Sequence, residues 1–226
     1  MNYRKSLIHI AMTLGLLAQG TLAEEAFVPV KVACIGDSIT FGYGIKGRNE
    51  NSYPAQLGKM LGKSHEVRNF GVSASTMLKK GNKPYWTLKQ FQAAQDYQPH
   101  IVVIKLGTND TKPGNWKHKA EFAPNYIEMV KRFQALESKP AVWICYPVPV
   151  FPERWGINDK TVREEVIPLI DRVGEQTGAR VIDVYKPLEG KPELVPDKVH
   201  PNGAGARIIA ETVLAALKAK PVPEIE

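Results

Sequence analysis

The feature that most constrains the fold is a repeated alternation between short apolar runs and longer amphipathic stretches. Five runs are almost continuously hydrophobic, at residues 32–35, 67–70, 101–106, 141–145 and 181–184. Continuous hydrophobicity is typical of parallel strands that are covered on both faces. Strand–helix alternation repeated five times therefore predicts a three-layer α/β sandwich around a parallel sheet. Lys105 interrupts the third run, and the pattern offers no explanation for it.

Helix signals occupy the stretches between these runs. Apolar residues recur at helical spacing in residues 85–97, 119–137 and 162–173. This spacing is the pattern of a helix that packs one face on a core. Ser52 and Pro54 are a cap residue and an early proline at the start of a further helix. Pro168 is expected to kink or shorten its helix, and the last helix is expected to begin near Pro201.

The first 23 residues have the composition of an export signal. Two basic residues stand near the start, residues 7–17 form an apolar run, and Thr21 and Ala23 are small residues where a signal peptidase would inspect the chain. An apolar run of this length is too short to span roughly 30 Å of hydrocarbon. The pattern predicts a signal peptide at residues 1–23 and a secreted or periplasmic protein with no stable membrane insertion.

The remainder of the chain contains no linker, internal repeat or low-complexity tract. It therefore predicts a single domain at residues 24–220, followed by a short tail at residues 221–226. A formal net charge of +7 is mild for 226 residues. The basic residues are scattered and accompany no nucleic-acid-binding motif, so nucleic acid is not expected as a partner.

Unusual polar residues directly follow four of the apolar runs. They occupy residues 36–38, 69–71, 107–110 and 146–149. In an open α/β sheet, ligands bind at the carboxyl ends of the parallel strands. Segments that are distant along the chain are therefore expected to meet at one edge of the sheet. A serine, two glycines and an asparagine at that edge suit acyl transfer better than phosphate binding.

Ser38, Asp197 and His200 have the residue types of a catalytic triad. A serine hydroxyl is a poor nucleophile at neutral pH and needs a neighbouring base, which is most often histidine. A carboxylate must then hold the imidazole in the correct tautomer. Asp197 and His200 are spaced so that both can lie on one turn, and Pro201 provides a preset first helical position after them.

Negative charge develops on the substrate carbonyl oxygen during acyl transfer and needs hydrogen-bond donors. The backbone N–H groups of Ser38 and Gly71 and the side-chain amide of Asn109 can supply three. Glycine allows a close approach of the backbone to a ligand. Each donor of this kind typically lowers the barrier by about 3–4 kcal/mol.

Four ordered blocks resemble the SGNH (GDSL-type) hydrolase family. They are GDSIT at residues 36–40, NFGVSAS at 69–75, GTND at 107–110 and DKVHPN at 197–202. The resemblance covers nearly all of residues 31–218. It implies a flavodoxin-like five-stranded parallel sheet with strand order 2-1-3-4-5, and ester hydrolysis without a metal or other cofactor.

The sequence is therefore interpreted as a secreted serine esterase that acts through an acyl-enzyme. Export and the lack of a long apolar lid favour small acyl groups, most plausibly acetyl, on extracellular carbohydrate. Within the family, the alternative is a lysophospholipase or thioesterase that acts on longer acyl chains. The alternative that is not an enzyme is a non-catalytic glycan-binding module with the same fold.

Substrate recognition is predicted less directly than catalysis. Trp116, Arg154 and Trp155 are candidates, because an aromatic ring beside an arginine can stack on a sugar and bind a carboxylate. Packing within loops is an equal alternative. Asp37 and Asp110 flank functional residues and are interpreted as hydrogen-bond partners that hold loops. No histidine outside the triad has a neighbour at metal-ligand spacing, so no metal site is predicted.

Cys34 and Cys145 are the two cysteines of the chain. An exported protein with two cysteines suggests a disulfide. In the order 2-1-3-4-5, however, the third strand separates them, at about 10 Å between Cα atoms. A disulfide rarely tolerates more than about 7 Å. We therefore expect both thiols to remain free and buried.

Overall fold

The computed structural model of the chain describes residues 28–219, so the predicted signal peptide and tail lie outside the described residues. Seven strands are present among them: β1 (Val30–Gly36), β2 (His65–Gly71), β3 (Ile101–Lys105), β4 (Ala141–Cys145), β5 (Glu153–Arg154), β6 (Ile157–Asn158) and β7 (Arg180–Ile182). Five of them form a parallel sheet in the order β2-β1-β3-β4-β7, and β5 and β6 form an antiparallel hairpin. β7 is the fifth strand of this sheet along the chain. The predicted strand order 2-1-3-4-5 is therefore confirmed.

Helices connect the strands. The described residues form nine α-helices: α1 (Ser38–Phe41), α2 (Arg48–Asn51), α3 (Tyr53–Leu61), α4 (Lys89–Asp96), α5 (Pro113–Trp116), α6 (Phe122–Gln134), α7 (Asp159–Thr161), α8 (Ile167–Thr177) and α9 (Gly203–Ala219). Short 3₁₀ turns at Tyr85–Thr87 and Lys119–Glu121 precede α4 and α6, so the regular helices start later than the apolar spacing predicts.

Pro168 widens its helix rather than shortening it. Proline has no N–H for the carbonyl of the residue four positions earlier, so the α-helical ladder cannot run through it unchanged. The chain forms a π-helical turn at Val162–Val166, and α8 begins with Pro168 in its first turn. The helical path is thereby continuous from α7 to α8.

The two faces of the sheet pack against separate layers of helices. Along β1, Ala33 and Ile35 point into one core cluster, whereas Val32 and Cys34 point into the other. The first cluster includes side chains of α4, α6 and α8, and the second includes side chains of α3 and α9. Burial on both faces explains why the central strands β3 and β4 are mainly hydrophobic. The edge strand β2 is less buried, and its Arg68 and Asn69 are exposed. The predicted three-layer sandwich is confirmed.

Cys34 and Cys145 are free and buried, as expected. They lie on β1 and β4, with β3 between those strands. Burial raises the pKa of the Cys145 thiol to about 12, which keeps it protonated and unreactive at neutral pH.

Among residues 28–219, none of the helices combines the length and hydrophobicity needed to cross a bilayer.

Candidate active site

Ser38 lies at the carboxyl end of β1, at the first position of α1. The turn between strand and helix is tight, because a Cβ atom on Gly36 would lie 2.1 Å from Oγ1 of Thr40. Asp37 caps the helix, and its Oδ1 atom accepts a hydrogen bond of 2.9 Å from the N–H of Ile39. The end of β1, the tight turn at Gly36 and the helix cap by Asp37 together fix the direction of the serine side chain. The predicted loop-holding function of Asp37 is thus confirmed.

The structure brings Ser38, His200 and Asp197 into one line of hydrogen bonds. The Nε2 atom of His200 lies 2.8 Å from Oγ of Ser38, and its Nδ1 atom lies 2.7 Å from Oδ2 of Asp197. The serine and the histidine are 162 residues apart in the chain. With Nδ1 protonated and bonded to the carboxylate, Nε2 is an acceptor and can take the serine proton.

Asp197 holds both the backbone and the ring of the histidine. Its Oδ1 atom accepts hydrogen bonds from the N–H groups of Val199, at 3.0 Å, and His200, at 2.7 Å. Partial burial raises the pKa of Asp197, but these bonds and the bond from the His200 ring outweigh that effect and leave the pKa below its usual value. The carboxylate therefore remains ionised at neutral pH.

The loop that carries Asp197 and His200 is anchored at both ends. Asn202 caps α9, and its Oδ1 atom accepts from the N–H groups of Ala204 and Gly205, each at 3.0 Å. The carbonyl of Lys198 accepts from the N–H of Phe151 at 2.9 Å. Val199 is buried in a small third core cluster, with Val150, Ile157, Val162 and Tyr185. This anchoring keeps the imidazole at hydrogen-bond distance from the serine.

Asn109 lies in the loop that follows β3. It is 4% exposed, and one hydrogen of its side-chain amide is donated to the carbonyl of Ser75 at 3.2 Å. The main-chain carbonyl of Asn109 accepts a hydrogen bond from the side-chain amide of Asn115 at 2.8 Å. The second amide hydrogen of Asn109 is thereby held in a fixed direction.

Asp110 ties two loops together below the site. Its carboxylate accepts hydrogen bonds from the N–H groups of Met77, at 3.0 Å, and Leu78, at 2.7 Å. Complete burial raises its pKa to about 7, against the opposing effect of those bonds. The predicted structural function of Asp110 is confirmed.

Gly71 does not offer the free donor that the sequence predicts. Its N–H donates to Oδ1 of Asn69 at 2.9 Å. A Cβ atom at this position would lie 2.3 Å from the backbone nitrogen of Phe41, so the glycine permits α1 to pass over the end of β2. Gly71 also lines a cavity of about 460 Å³ that no triad residue lines. The assignment of Gly71 to the oxyanion hole is therefore wrong.

Ala74, three residues further along the same loop, has the features of such a donor. Its φ angle is +66°, in the left-handed region that a residue with a Cβ atom rarely adopts. Within residues 28–219, no atom accepts a hydrogen bond from its N–H. The next residue, Ser75, contacts both Gly36 and Asn109 through hydrogen bonds. The sequence contains no signal for Ala74 beyond its small size.

Lys105, which the apolar pattern left unexplained, is completely buried next to the turn that carries Asp37 and Ser38. Its Nζ atom lies 3.7 Å from Oδ1 of Asp37 and 3.5 Å from Oγ1 of Thr108. The other oxygen of Asp37 has no hydrogen-bond partner among the described residues. The ammonium group therefore compensates a carboxylate that would otherwise be buried without a counter-charge.

Trp116 belongs to the core rather than to the substrate site. It is 8% exposed, its ring lies edge-on to Phe122 at 5.5 Å between centroids, and its indole N–H donates to Glu165 at 3.0 Å. Its position at the end of α5 turns the ring inward onto α6. The prediction that Trp116 binds substrate is wrong.

Trp155 and Arg154 do lie at the site. The centroid of the Trp155 ring is 5.7 Å from that of His200, and the guanidinium of Arg154 lies 4.8 Å from the centre of the Trp155 ring. Tyr43, which the sequence did not indicate, lies on His200 at 4.7 Å between ring centroids. All three side chains are exposed.

Across residues 28–219, no group of three or more histidine, cysteine, aspartate or glutamate side chains is arranged to hold a metal ion.

Comparison with known proteins identifies relatives over most of the chain. An acetylxylan esterase from Xylanibacter ruminicola is 41% identical over 207 residues, which covers 84% of this chain and 43% of that protein. A cellulase/esterase from Acetivibrio thermocellus is 26% identical over 219 residues, which covers 84% of this chain and 25% of that protein. The chain thus spans less than half the length of these curated relatives.

Solved structures of low sequence identity share the fold. A carbohydrate acetylesterase from Sinorhizobium meliloti has a TM-score of 0.70 at 19% identity, with 84% of this chain and 99% of that chain covered. An aryl esterase from M. smegmatis has a TM-score of 0.67 at 18% identity, with the same coverage of 84% and 99%. At these identities the likeness shows a common architecture.

The model of the GDSL-like lipase/acylhydrolase family matches residues 34–208, a range that contains Ser38, Asn109, Asp197 and His200. The match covers well over half of the chain. The chain therefore belongs to the GDSL-like lipase/acylhydrolase family, which confirms the resemblance indicated by its four sequence blocks.

Proposed function

We propose that the protein is a secreted serine esterase that removes small acyl groups, above all acetyl, from carbohydrate. The observation that carries this proposal is the uninterrupted hydrogen-bonded line from Ser38 through His200 to Asp197, at 2.8 and 2.7 Å. A non-catalytic glycan-binding module would need neither the carboxylate nor the imidazole in this arrangement.

The proposed reaction proceeds through an acyl-enzyme. Oγ of Ser38 attacks the carbonyl carbon of the ester while its proton passes to Nε2 of His200, and Asp197 stabilises the resulting imidazolium. The tetrahedral intermediate collapses when His200 returns that proton to the leaving alcohol oxygen. Water then attacks the acyl-serine by the same route, and the carboxylic acid leaves.

The oxyanion of the intermediate is held by three donors. They are the N–H of Ser38, the side-chain amide of Asn109 and, in place of Gly71, the N–H of Ala74. The left-handed backbone at Ala74 supports this choice, because unusual backbone geometry is found preferentially at functional sites. Preorganised donors of this kind stabilise the charge that develops in the transition state.

The proposed substrate is an acetylated polysaccharide of the xylan type. The 41% identity to an acetylxylan esterase supports acetyl as the acyl group and xylan as the alcohol half. The export signal proposed at residues 1–23 would bring the enzyme to polysaccharides outside the cell.

Replacing Asn109 with alanine should lower kcat by about 10²–10³-fold with little change in KM, because the amide acts mainly on the transition state. Initial rates of acetate release over a range of substrate concentrations measure both parameters. Circular dichroism and thermal unfolding control for the lost bond to Ser75. A change confined to KM would exclude the oxyanion function.

The proposed acyl preference predicts that kcat/KM for p-nitrophenyl esters is highest for acetate and falls steeply beyond butyrate. The same preparation should release acetate from acetylated xylan. A maximum at octanoate or longer esters would instead support the lysophospholipase or thioesterase alternative. Hydrolysis of p-nitrophenyl acetate without acetate release from any acetylated glycan would reject carbohydrate as the alcohol half.

A further inference from the structure

Two exposed aromatic rings flank the catalytic histidine. Among the described residues, the large hydrophobic side chains that are exposed are Val28, Tyr43 and Trp155. The two aromatic ones are 50% and 51% exposed, and each lies against the ring of His200, at 4.7 and 5.7 Å between centroids. Exposed apolar side chains that are grouped together, as these two are around His200, are typical of a ligand-binding surface.

Trp155 is held in place by an unusual turn. It forms, with Gly156, the two-residue tip of the β5–β6 hairpin, and both residues have positive φ angles, +54° and +77°. Asparagine or glycine ordinarily occupies such positions, because a bulky side chain is strained there. A tryptophan kept in this conformation is therefore evidence that the position of its ring matters.

The hairpin is fastened to the catalytic loop. Ile157 of β6 is 2% exposed and packs in the same small core cluster as Val199, the neighbour of His200. At the tip, a Cβ atom on Gly156 would lie 3.0 Å from Pro113. The Trp155 ring is thus positioned relative to His200 by the packing of its own hairpin.

Tyr43 is positioned from the nucleophile side. Gly42 ends α1 in the left-handed conformation, with φ of +85°. The N–H of Tyr43 then donates to the carbonyl of Ser38 at 2.9 Å. The two rings therefore reach His200 from different segments, one fixed to Ser38 and the other to the loop that carries His200.

The position of these rings indicates which half of an ester they contact. In the proposed reaction, Nε2 of His200 must lie close to the leaving oxygen in order to protonate it. Side chains packed around the histidine therefore face the alcohol half, and the acyl group lies towards the oxyanion donors. The negative face of an aromatic ring attracts the weakly positive C–H face of a sugar ring.

We propose that Tyr43 and Trp155 form an aromatic clamp that binds the pyranose ring of the leaving alcohol. This inference rests on the proposed esterase function and extends it to the residues that select the alcohol half. It makes the two rings specificity-determining residues rather than participants in bond cleavage.

The test compares two acetyl esters that differ in the alcohol. Acetylated xylo-oligosaccharides offer a pyranose ring, whereas ethyl acetate offers none. In Tyr43→Ala and in Trp155→Ala, the ratio of kcat/KM for the sugar ester to kcat/KM for ethyl acetate should fall about tenfold, mainly through a higher KM for the sugar ester. Tyr43→Phe and Trp155→Phe, which keep an aromatic ring, should lose less. Glu153→Ala, on the same hairpin, is the matched control and should keep the wild-type ratio.

The outcomes separate the clamp from the esterase function. If the wild type hydrolyses neither ester, the proposed function fails. If it hydrolyses both and the alanine variants keep its ratio, the clamp is wrong while the esterase function stands. Because Tyr43 and Trp155 belong to different segments, misfolding of the hairpin variant would leave the Tyr43 result to decide.

Discussion

Replacing Ser38 with alanine is expected to lower kcat/KM for acetyl esters by at least about 10⁴-fold, because loss of a triad nucleophile removes the covalent route and leaves only binding and the oxyanion donors. The side chain is small and its hydrogen bond is made to His200, at the surface end of the core. The melting temperature should therefore stay close to that of the wild type. Acetate release and thermal unfolding on the same preparation measure both quantities.

A nearby serine provides the control for this substitution. Ser73 lies in the loop after β2, is partly exposed and is outside the hydrogen-bonded line, so Ser73→Ala should retain activity. A fluorophosphonate should label the wild type once and leave Ser38→Ala unlabelled. If the variant kept more than a few per cent of wild-type turnover, another residue would be the nucleophile. An unlabelled wild type without esterase activity would support the glycan-binding module.

Replacing Lys105 with methionine is expected to reduce the free energy of unfolding by about 3–5 kcal/mol, because removing one partner of a buried ion pair leaves the other charge uncompensated. The side chains of Lys105 and Asp37 are 1% and 0% exposed. Methionine has a similar length, so the loss of charge rather than of volume dominates. Urea unfolding measures the change.

The double variant Lys105→Met/Asp37→Asn tests the cause of that loss. Asparagine removes the buried charge but still accepts the hydrogen bond that caps α1, so most of the stability should return. Lys119→Met is the contrast, because Lys119 pairs with Glu165 at 2.6 Å but the two side chains are 58% and 38% exposed. Its effect should stay below about 1 kcal/mol despite the shorter distance. If the double variant were no more stable than Lys105→Met, the uncompensated charge on Asp37 would not be the cause of the lost stability.

The sheet could be predicted because its central strands β3 and β4 are buried on both faces and are hydrophobic without alternation. The strand ends were less predictable, since hydrophobicity does not report where hydrogen bonding stops. The last apolar run extends to residue 184, yet β7 ends at Ile182. Oδ1 of Asp183 accepts from the N–H groups of Tyr185 and Lys186 and turns the chain there.

The hydrogen-bonded line of Ser38, His200 and Asp197 was predictable because each residue lies next to the end of a recognisable strand or helix and the chemistry proposed for it restricts the residue type. Gly71 was misassigned because a glycine after a strand can serve either as an exposed hydrogen-bond donor or as a point of close backbone contact. Only the interatomic distances in the structure distinguish these two possibilities. Trp116 was misassigned because the orientation of an aromatic side chain at a helix end depends on tertiary packing. Tyr43 was missed because its contact with His200 joins segments far apart in the chain.

Gly36 and Gly71 are register partners at the ends of β1 and β2, and neither position has space for a methyl group. In two of the blocks that identify the family, the glycine therefore meets a steric requirement of the fold and takes no part in the reaction. During evolution, a descendant that lost hydrolysis would still be selected to keep both glycines, whereas Ser38 and His200 would be free to change. Among related sequences, conservation of both glycines should therefore indicate common descent. Conservation of the serine and the histidine should indicate that hydrolysis is retained.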